Sequence, residues 1–360
     1  MFVLAYLLYG SAEKHQSELT YSVLSMLTHL RRDPADIRLV LVCDAANRRP
    51  DLPVEEVVVP AALLREWQFD GQYNHAAKQH ALRHLLQTFD APTLLVDTDT
   101  WATAHPRELF ARLGPGQAMA HCAERPLLEL EGEAEDYRRL IERTGGEVAG
   151  YPISATTVMH NSGVIGIRPE DIAALDASLA VTKAIWDAVR VFTAEQLAWA
   201  VVMQSRLQLQ TCADLVVHYW GGPRGYYRYQ IDRLFPRPDR PGATIQVPVE
   251  LPVLRDQPTG RKWITWQARL FRRMRRGDGA YAHAWLCARN ATAEREDARL
   301  ANVWAEHALG TLRYGVPVLP PQIRADFAAF APGAVERLGW LYPDLQKSWL
   351  AFWDSTGPGR

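Results

Sequence analysis

Residues 93–99 read Thr93-Leu94-Leu95-Val96-Asp97-Thr98-Asp99, an apolar run that stops at two carboxylates one residue apart. Continuous apolar residues without alternation fit a strand buried on both faces, as in the middle of a parallel sheet. The same kind of run recurs upstream, with helical spacing between the runs. Residues 2–9 read as a buried first strand, 38–43 (RLVLVC) as a second and 55–59 as a third. Between them, residues 13–31 carry Leu19, Val23, Met26, Leu27 and Leu30 on one helical face, and residues 72–89 form another helix. Strands that alternate with helices predict an α/β fold with a mostly parallel sheet flanked by helices.

Downstream, 117–122 is a short strand candidate, and 125–151 is an acidic, glycine-bearing segment, part helix and part loop. Residues 158–167 read as a strand interrupted by Asn161-Ser162-Gly163. Residues 193–210 read as a helix with Thr193 as N-cap, and 215–220 as a short strand entering Gly221-Gly222-Pro223. Prolines at 236, 238, 241, 248, 252 and 258 mark a linker. The expected division is a catalytic domain over 1–235, a Pro-rich linker over 236–258, and a mainly helical, tryptophan-rich region over 259–360.

The chain has 360 residues and a formal net charge of −1, so charge gives no argument for nucleic acid. Cys43, Cys122, Cys212 and Cys287 are far apart and form no CxxC pair, which points to free thiols rather than disulfides or zinc. Residues 2–9 lack a preceding basic region and a following small-residue cleavage site, so they read as a strand and not a signal peptide. No apolar run approaches the length of about 18 residues needed to span a bilayer. A cytoplasmic protein is expected.

Asp97 and Asp99 carry the strongest chemical signal. They follow a strand at the carboxyl edge of the sheet, where open α/β sheets bind ligands. Two close carboxylates repel, and a hard divalent cation relieves that repulsion. Such a cation can hold a diphosphate and neutralise charge growing on it. The plain alternative is a strand end closed by turn-forming aspartates. A phosphatase of the haloacid-dehalogenase type also has D-x-D after a strand, but Trp101 stands where that motif has Thr or Val. His218 ends a short apolar strand, and imidazole is a common ligand for manganese or zinc. The alternative is a core or surface histidine with a hydrogen-bond partner. Gly163 would let backbone approach a ligand closely, and the Asn161 amide could bond a ligand hydroxyl, or the three residues form a simple bulge. Glu195 and Gln196 start a helix, where an acid also complements the helix dipole.

Four ordered landmarks, LLVDTDT (94–100), HNSGVIGI (160–167), AEQLAWAVVMQ (194–204) and VVHYWGG (216–222), span most of residues 1–222. Together they resemble glycosyltransferases of the GT-A fold, in particular the retaining family of glycogenin and the bacterial lipopolysaccharide galactosyltransferases. The resemblance implies a Rossmann-like catalytic domain that moves a hexose from a nucleoside-diphosphate sugar, UDP-sugars favoured, to a hydroxyl acceptor on a glycan or lipid-linked saccharide. It implies a Mn2+ or Mg2+ site of Asp97, Asp99 and His218, with Thr98 between them on the donor side. It places Glu195 and Gln196 beside the anomeric carbon, and retention of configuration is implied by it alone. Lys78, or Arg83 on the same helix, would reach the diphosphate. Tyr9 and Gly10, after the first strand, would meet the base, and Asp44 the nucleoside. The family's glycine-lysine segment after the histidine is replaced by 221–225 here, and Arg224 could take over its phosphate contact.

Residues 261–276 (RKWITWQARLFRRMRR) carry seven basic residues and no acid. Trp263, Trp266, Leu270 and Met274 share a helical face, a form that can lie on anionic membrane. A core-packed helix with a solvated basic face is the alternative. If it binds lipid, the protein works at the inner membrane face. Two other functional classes stay open: a sugar-1-phosphate nucleotidyltransferase, although Gly10-Ser11-Ala12-Glu13 lacks its basic phosphate loop, and a non-catalytic nucleotide-sugar-binding scaffold.

Overall fold

The computed structural model describes residues 1–10, 13–130, 132–220, 224–238, 242–275, 279–316, 319 and 322–356. Ser11, Ala12, residues 221–223 and Arg276 lie outside the described residues, as do the side chains of Glu13, Met274 and Arg275. By internal contact the chain divides into two units, Met1–His218 with Phe235–Pro252, and Tyr219–Leu234 with Val253–Arg360.

The strands of the first unit are β1 (Phe2–Leu8), β2 (Ile37–Cys43), β3 (Glu55–Val58), β4 (Thr93–Val96), β5 (Thr100–Ala102), β6 (Gln117–Pro126), β7 (Glu147–Val148), β8 (Tyr151–Pro152), β9 (Val158–Ile167), β10 (Gln208–Thr211) and β11 (Val216–His218). Its helices are α1 (Glu13–Arg32), α2 (Ala61–Trp67), α3 (Ala76–Phe89), α4 (Arg107–Ala111), α5 (Ala134–Thr144), α6 (Ile172–Val189) and α7 (Ala194–Arg206). Seven strands form one sheet in the order β10-β6-β9-β4-β1-β2-β3. Neighbours pair in parallel except β9, which runs antiparallel to both β4 and β6. The fold is therefore α/β with a mostly parallel sheet.

The period-2 alternation of a strand decides which face each residue serves. Leu4, Tyr6 and Leu8 of β1 join Leu19, Val23 and Met26 of α1 in one core. Val3 and Ala5 join Ala77, Ala81, Leu82, Leu85 and Leu86 of α3, and Trp199 of α7, in the other. Both faces of β1 and β4 are covered, which is why these strands are apolar throughout and not alternating.

Several expectations change. Asn161-Ser162-Gly163 bulges its strand without ending it. β9 runs continuously over Val158–Ile167, but between the pairs Ala120–Ile165 and Cys122–Asn161 the three residues Ser162, Gly163 and Val164 stand against His121 alone, and a second register shift falls between Ala123 and Pro126. The helix expected over 193–210 stops at Arg206. Leu207 is extended, and Gln208–Thr211 adds the edge strand β10 beside β6. Thr193 does not cap it through its side chain. Its hydroxyl bonds Glu133 at 2.8 Å instead. The strand expected over 215–220 is three residues long and pairs with β5, outside the main sheet. Residues 242–252, expected within the linker, pack on the first unit: Ile245 is buried in the α1 core, and Val247 and Pro252 carbonyls accept from Arg31 and Tyr21 at 2.9 Å.

The second unit comprises α8 (Arg224–Leu234), α9 (Lys262–Arg275), α10 (Gly279–Ala293), α11 (Ala298–Gly310), α12 (Ile323–Asp326), α13 (Pro332–Val335) and α14 (Pro343–Ser355). Trp304, Trp349, Trp353, Phe327 and Phe330 dominate its core, so most of the tryptophan richness is packing. Trp263, Trp266 and Leu270 of α9 are the exception, 50%, 65% and 42% exposed, while Ile264, Ala268 and Phe271 turn inward. Cys43, Cys212 and Cys287 are buried, Cys122 is half-buried, and all four are free thiols. Among the described residues no helix is long and apolar enough to cross a membrane.

Candidate metal centre

β4 delivers Asp97 to the carboxyl edge of the sheet, where its N–H donates to the Gly163 carbonyl at 2.8 Å. A turn through Thr98 and Asp99 then starts β5, which pairs antiparallel with β11 so that His218 stands opposite Thr100. This ribbon closes a sequence gap of more than a hundred residues. Helix α1 holds it in place: the Ser22 hydroxyl shares a 2.9 Å bond with the Thr100 hydroxyl, and the Ser25 hydroxyl accepts from Ala102 N–H at 2.9 Å. The Thr100 hydroxyl also donates to the Asp97 carbonyl at 2.8 Å, which closes the turn.

The result is a cluster of Asp97, Asp99 and His218 whose ligand atoms all lie within 4.8 Å of one another. His218 Nε2 is 3.5 Å from Asp99 Oδ1 and 3.8 Å from Asp97 Oδ2. Two bonds of about 2.1 Å to a shared cation span such separations, and one imidazole with two carboxylates is a donor set for a divalent ion. The donor set therefore fits a divalent ion.

Lys78 projects from the first turn of α3 into the same place. Its Nζ donates to Asp97 Oδ2 at 2.7 Å and to the Ser162 carbonyl and hydroxyl at 3.2 and 3.1 Å, and lies 3.5 Å from Glu195 Oε1. Burial disfavours its charge, but Asp97 and Glu195 outweigh that and hold its pKa above the ordinary lysine value. Arg83, the other basic candidate on this helix, is turned to Asp176 at 2.6 Å and takes no part. Glu195 is almost fully buried at 3% exposure. Its Oε1 accepts from the Ser162 hydroxyl at 2.8 Å, Oε2 is buried without a protein partner, and burial raises its pKa although Lys78 works against that. Tyr73 positions it by accepting from the Glu195 N–H at 3.0 Å.

Asn161 is occupied by the protein itself. Its Oδ1 accepts from Gly163 N–H at 2.9 Å and lies 2.8 Å from His218 Nδ1, and its Nδ2 donates to Glu124 Oε1 at 2.9 Å. One Nδ2 hydrogen is left for a ligand. Gln196 donates to the other Glu124 oxygen at 3.0 Å. Gly163 matters because of contact, not a special backbone angle: a Cβ there would sit 2.1 Å from His218 Nδ1.

The remaining candidates are more distant in role. Tyr9 follows β1 and donates to the Asn74 carbonyl at 3.0 Å; burial pushes its pKa up to about 12. Gly10 takes left-handed backbone at φ +79°, which supports the turn expected of it. Asp44 Oδ1 accepts from the N–H groups of Ala46 and Asn47 at 2.9 and 3.0 Å, so it caps its own chain while lining a cavity of about 500 Å3 with Val58–Ala61 neighbours. Arg224 opens α8 in the second unit. Sequence reasoning missed Glu124, Ser162, Tyr73 and His121. The His121 ring stands edge-on to His218 at 5.4 Å and its Nε2–H donates to the Val216 carbonyl at 2.9 Å. An acid and a histidine in a strand that is apolar at its start were the only available signal.

No protein-family model matches the chain, and no curated protein matches it. Among solved structures, the apo form of mouse xyloside xylosyltransferase 1 aligns at 14% identity and a TM-score of 0.38, over 59% of this chain and 84% of that one. The galactosyltransferase LgtC in complex with donor and acceptor sugar analogues aligns at 14% identity and a TM-score of 0.41, over 65% and 95%. The glycosyltransferase GlyE of Streptococcus pneumoniae TIGR4 aligns at 13% identity and a TM-score of 0.30, over 58% and 44%. These likenesses are distant, and the chemistry of the site carries the functional reading.

The Gly163 contact yields a direct test. Gly163→Ala should push His218 off its position and weaken Mn2+ binding, measured by calorimetry, by about 10–100-fold, the usual effect of disturbing a ligand's immediate support. Unchanged affinity would mean that His218 is not a ligand.

Proposed function

We propose that the protein is a metal-dependent glycosyltransferase of the GT-A type, transferring a hexose from a nucleoside-diphosphate sugar, with UDP-sugars favoured, to a hydroxyl acceptor. The observation that carries this reading is the convergence of Asp97, Asp99 and His218 at the carboxyl edge of a mostly parallel sheet, with Lys78 beside them. Asp97, Asp99 and His218 would hold the divalent cation, manganese or magnesium, which when bound neutralises charge on the departing diphosphate. Lys78 would supply a second, permanent positive charge on the same side. Thr98, in the turn between the two carboxylates, and Gly163 would face the donor.

Glu195, Gln196 and Asn161 are assigned to the sugar side. Glu195 is buried and engaged by Ser162 and Lys78, which supports a role in setting Lys78 and the local field. Gln196 is the group left to orient the sugar. Retention of configuration belongs to this reading. Tyr9, Gly10 and Asp44 are proposed for the nucleoside, on their place after β1 and β2, and Arg224 is kept as a proposed phosphate contact on its chemistry alone.

The acceptor proposed is a saccharide, free or lipid-linked. Peripheral contact with anionic membrane is proposed through α9, whose exposed Trp263, Trp266 and Leu270 lie among Lys262, Arg269, Arg272 and Arg273. The location proposed with it is the cytoplasm, at the inner face of the membrane.

A thermal-shift screen of nucleotide sugars with and without Mn2+ tests the central reading. At least one donor should raise the melting temperature of the wild type only when Mn2+ is present, and Asp99→Ala should abolish the shift. A wild type that no nucleotide sugar stabilises would remove the reading, and binding without turnover would leave a scaffold. Vesicle sedimentation tests α9: pelleting should need anionic lipid and fall at least several-fold when Arg269, Arg272 and Arg273 are replaced by Gln. Equal pelleting with neutral vesicles would contradict it.

A further inference from the structure

We infer that Asn161 sets the tautomer of His218, and that Glu124 is the positioning residue that fixes Asn161 for this task. The functional meaning rests on the metal centre proposed above, but the tautomer itself is a property of the metal-free protein.

The argument begins with the two ends of the Asn161 amide. On one side stands the Gly163 N–H, 2.9 Å from Oδ1. A backbone N–H can only donate, so the atom facing it must be the amide oxygen. On the other side stands Glu124 Oε1, 2.9 Å from Nδ2. A carboxylate oxygen accepts, so the atom facing it must be the NH2 group. Reversing the amide would set donor against donor and acceptor against acceptor at once. Its orientation is therefore determined twice, from β9 and from β6.

His218 Nδ1 lies 2.8 Å from the same Asn161 Oδ1. An amide oxygen accepts only, so Nδ1 must carry the proton and donate it. In the neutral ring the lone pair then sits on Nε2, the atom that faces Asp99 Oδ1 at 3.5 Å and Asp97 Oδ2 at 3.8 Å. That is the nitrogen a cation between the carboxylates would take. A metal-bound histidine is normally held this way, by an acceptor on its other nitrogen. Here the acceptor is an amide, which can turn over, and Glu124 prevents it. Gln196, on the second Glu124 oxygen at 3.0 Å, steadies Glu124 in turn.

The test reads the tautomer directly. Histidine is labelled with 15N, the His218 signal is assigned by its loss in His218→Gln, and the metal-free protein is held in alkaline buffer where the ring is neutral. The wild type should show a protonated Nδ1 and an unprotonated Nε2. Asn161→Ala should admit the Nε2–H form and weaken Mn2+ binding by about 10–100-fold. Asn161→Asp sets two carboxylates against each other and should also weaken binding. Adding Glu124→Gln restores a donor–acceptor pair in reverse, so E124Q/N161D should keep the Nδ1–H form and recover most of the affinity. A wild type with Nε2–H, or an Asn161→Ala protein with an unchanged tautomer, overturns the inference. A double variant no better than Asn161→Asp removes Glu124 from it. The NMR result decides the inference even if the wild type binds no metal, in which case it is the functional proposal that fails.

Discussion

The site depends on the register of a three-residue ribbon. β5 and β11 pair so that Thr100 meets His218. Because strand side chains alternate, a slip of one residue would bring Val217 into that place and turn the imidazole to the other face. Three residue pairs and the bond from Thr103 N–H to the Leu215 carbonyl at 2.9 Å hold the ribbon, a short pairing that gains from outside support. Helix α1 adds it through two small hydroxyls, Ser22 on Thr100 and Ser25 on Ala102. Both serines are buried, and Ser22 also shares a 3.0 Å bond with the Tyr6 hydroxyl in β1. The central sheet is thus tied through a polar chain to the segment that presents His218.

Charge balance is the second constraint. Asp97, Asp99 and Glu195 place three carboxyl groups in a largely buried region, with Lys78 as the cation among them. Removing one member of a buried pair typically costs about 3–5 kcal/mol, since the charge left behind has no water to return to. Lys78 therefore has structural as well as chemical reasons to be there. It shares Asp97 Oδ2 with the side of the cluster that faces His218, so a cation arriving there joins a charge arrangement already partly neutralised.

The parts of the fold readable from sequence are those in which one physical demand dominates. β1, β2 and β4 are covered on both faces, so continuous apolar runs announce them, and α1 shows its buried stripe in Leu19, Val23 and Met26. The carboxylates of Asp97 and Asp99 are conspicuous because nothing in an apolar strand end calls for two of them. What sequence does not carry is pairing. Gln208–Thr211 is a polar extension of a helix until β6 offers it an edge. Asn161-Ser162-Gly163 looks like a break until the pairing shows β9 running on through it as a bulge against β6. Glu124 gives no sign of its role, because its meaning comes from standing across from Asn161 and beside Gln196. Lys78 and Arg83 differ by five positions on one helix and look alike as letters. Only the helix's packing decides that one is buried against Asp97 and the other meets Asp176 at the surface.

The central claim is that His218, distant in sequence, completes a cation site begun by Asp97 and Asp99. Pulsed electron paramagnetic resonance on the Mn2+-loaded protein reads it most directly, since a directly bound imidazole nitrogen modulates the spin echo. The wild type should show coupling to a single histidine nitrogen, and His218→Ala should lose it. Bound Mn2+ with no nitrogen coupling in the wild type, or coupling that survives the substitution, would contradict the site described here.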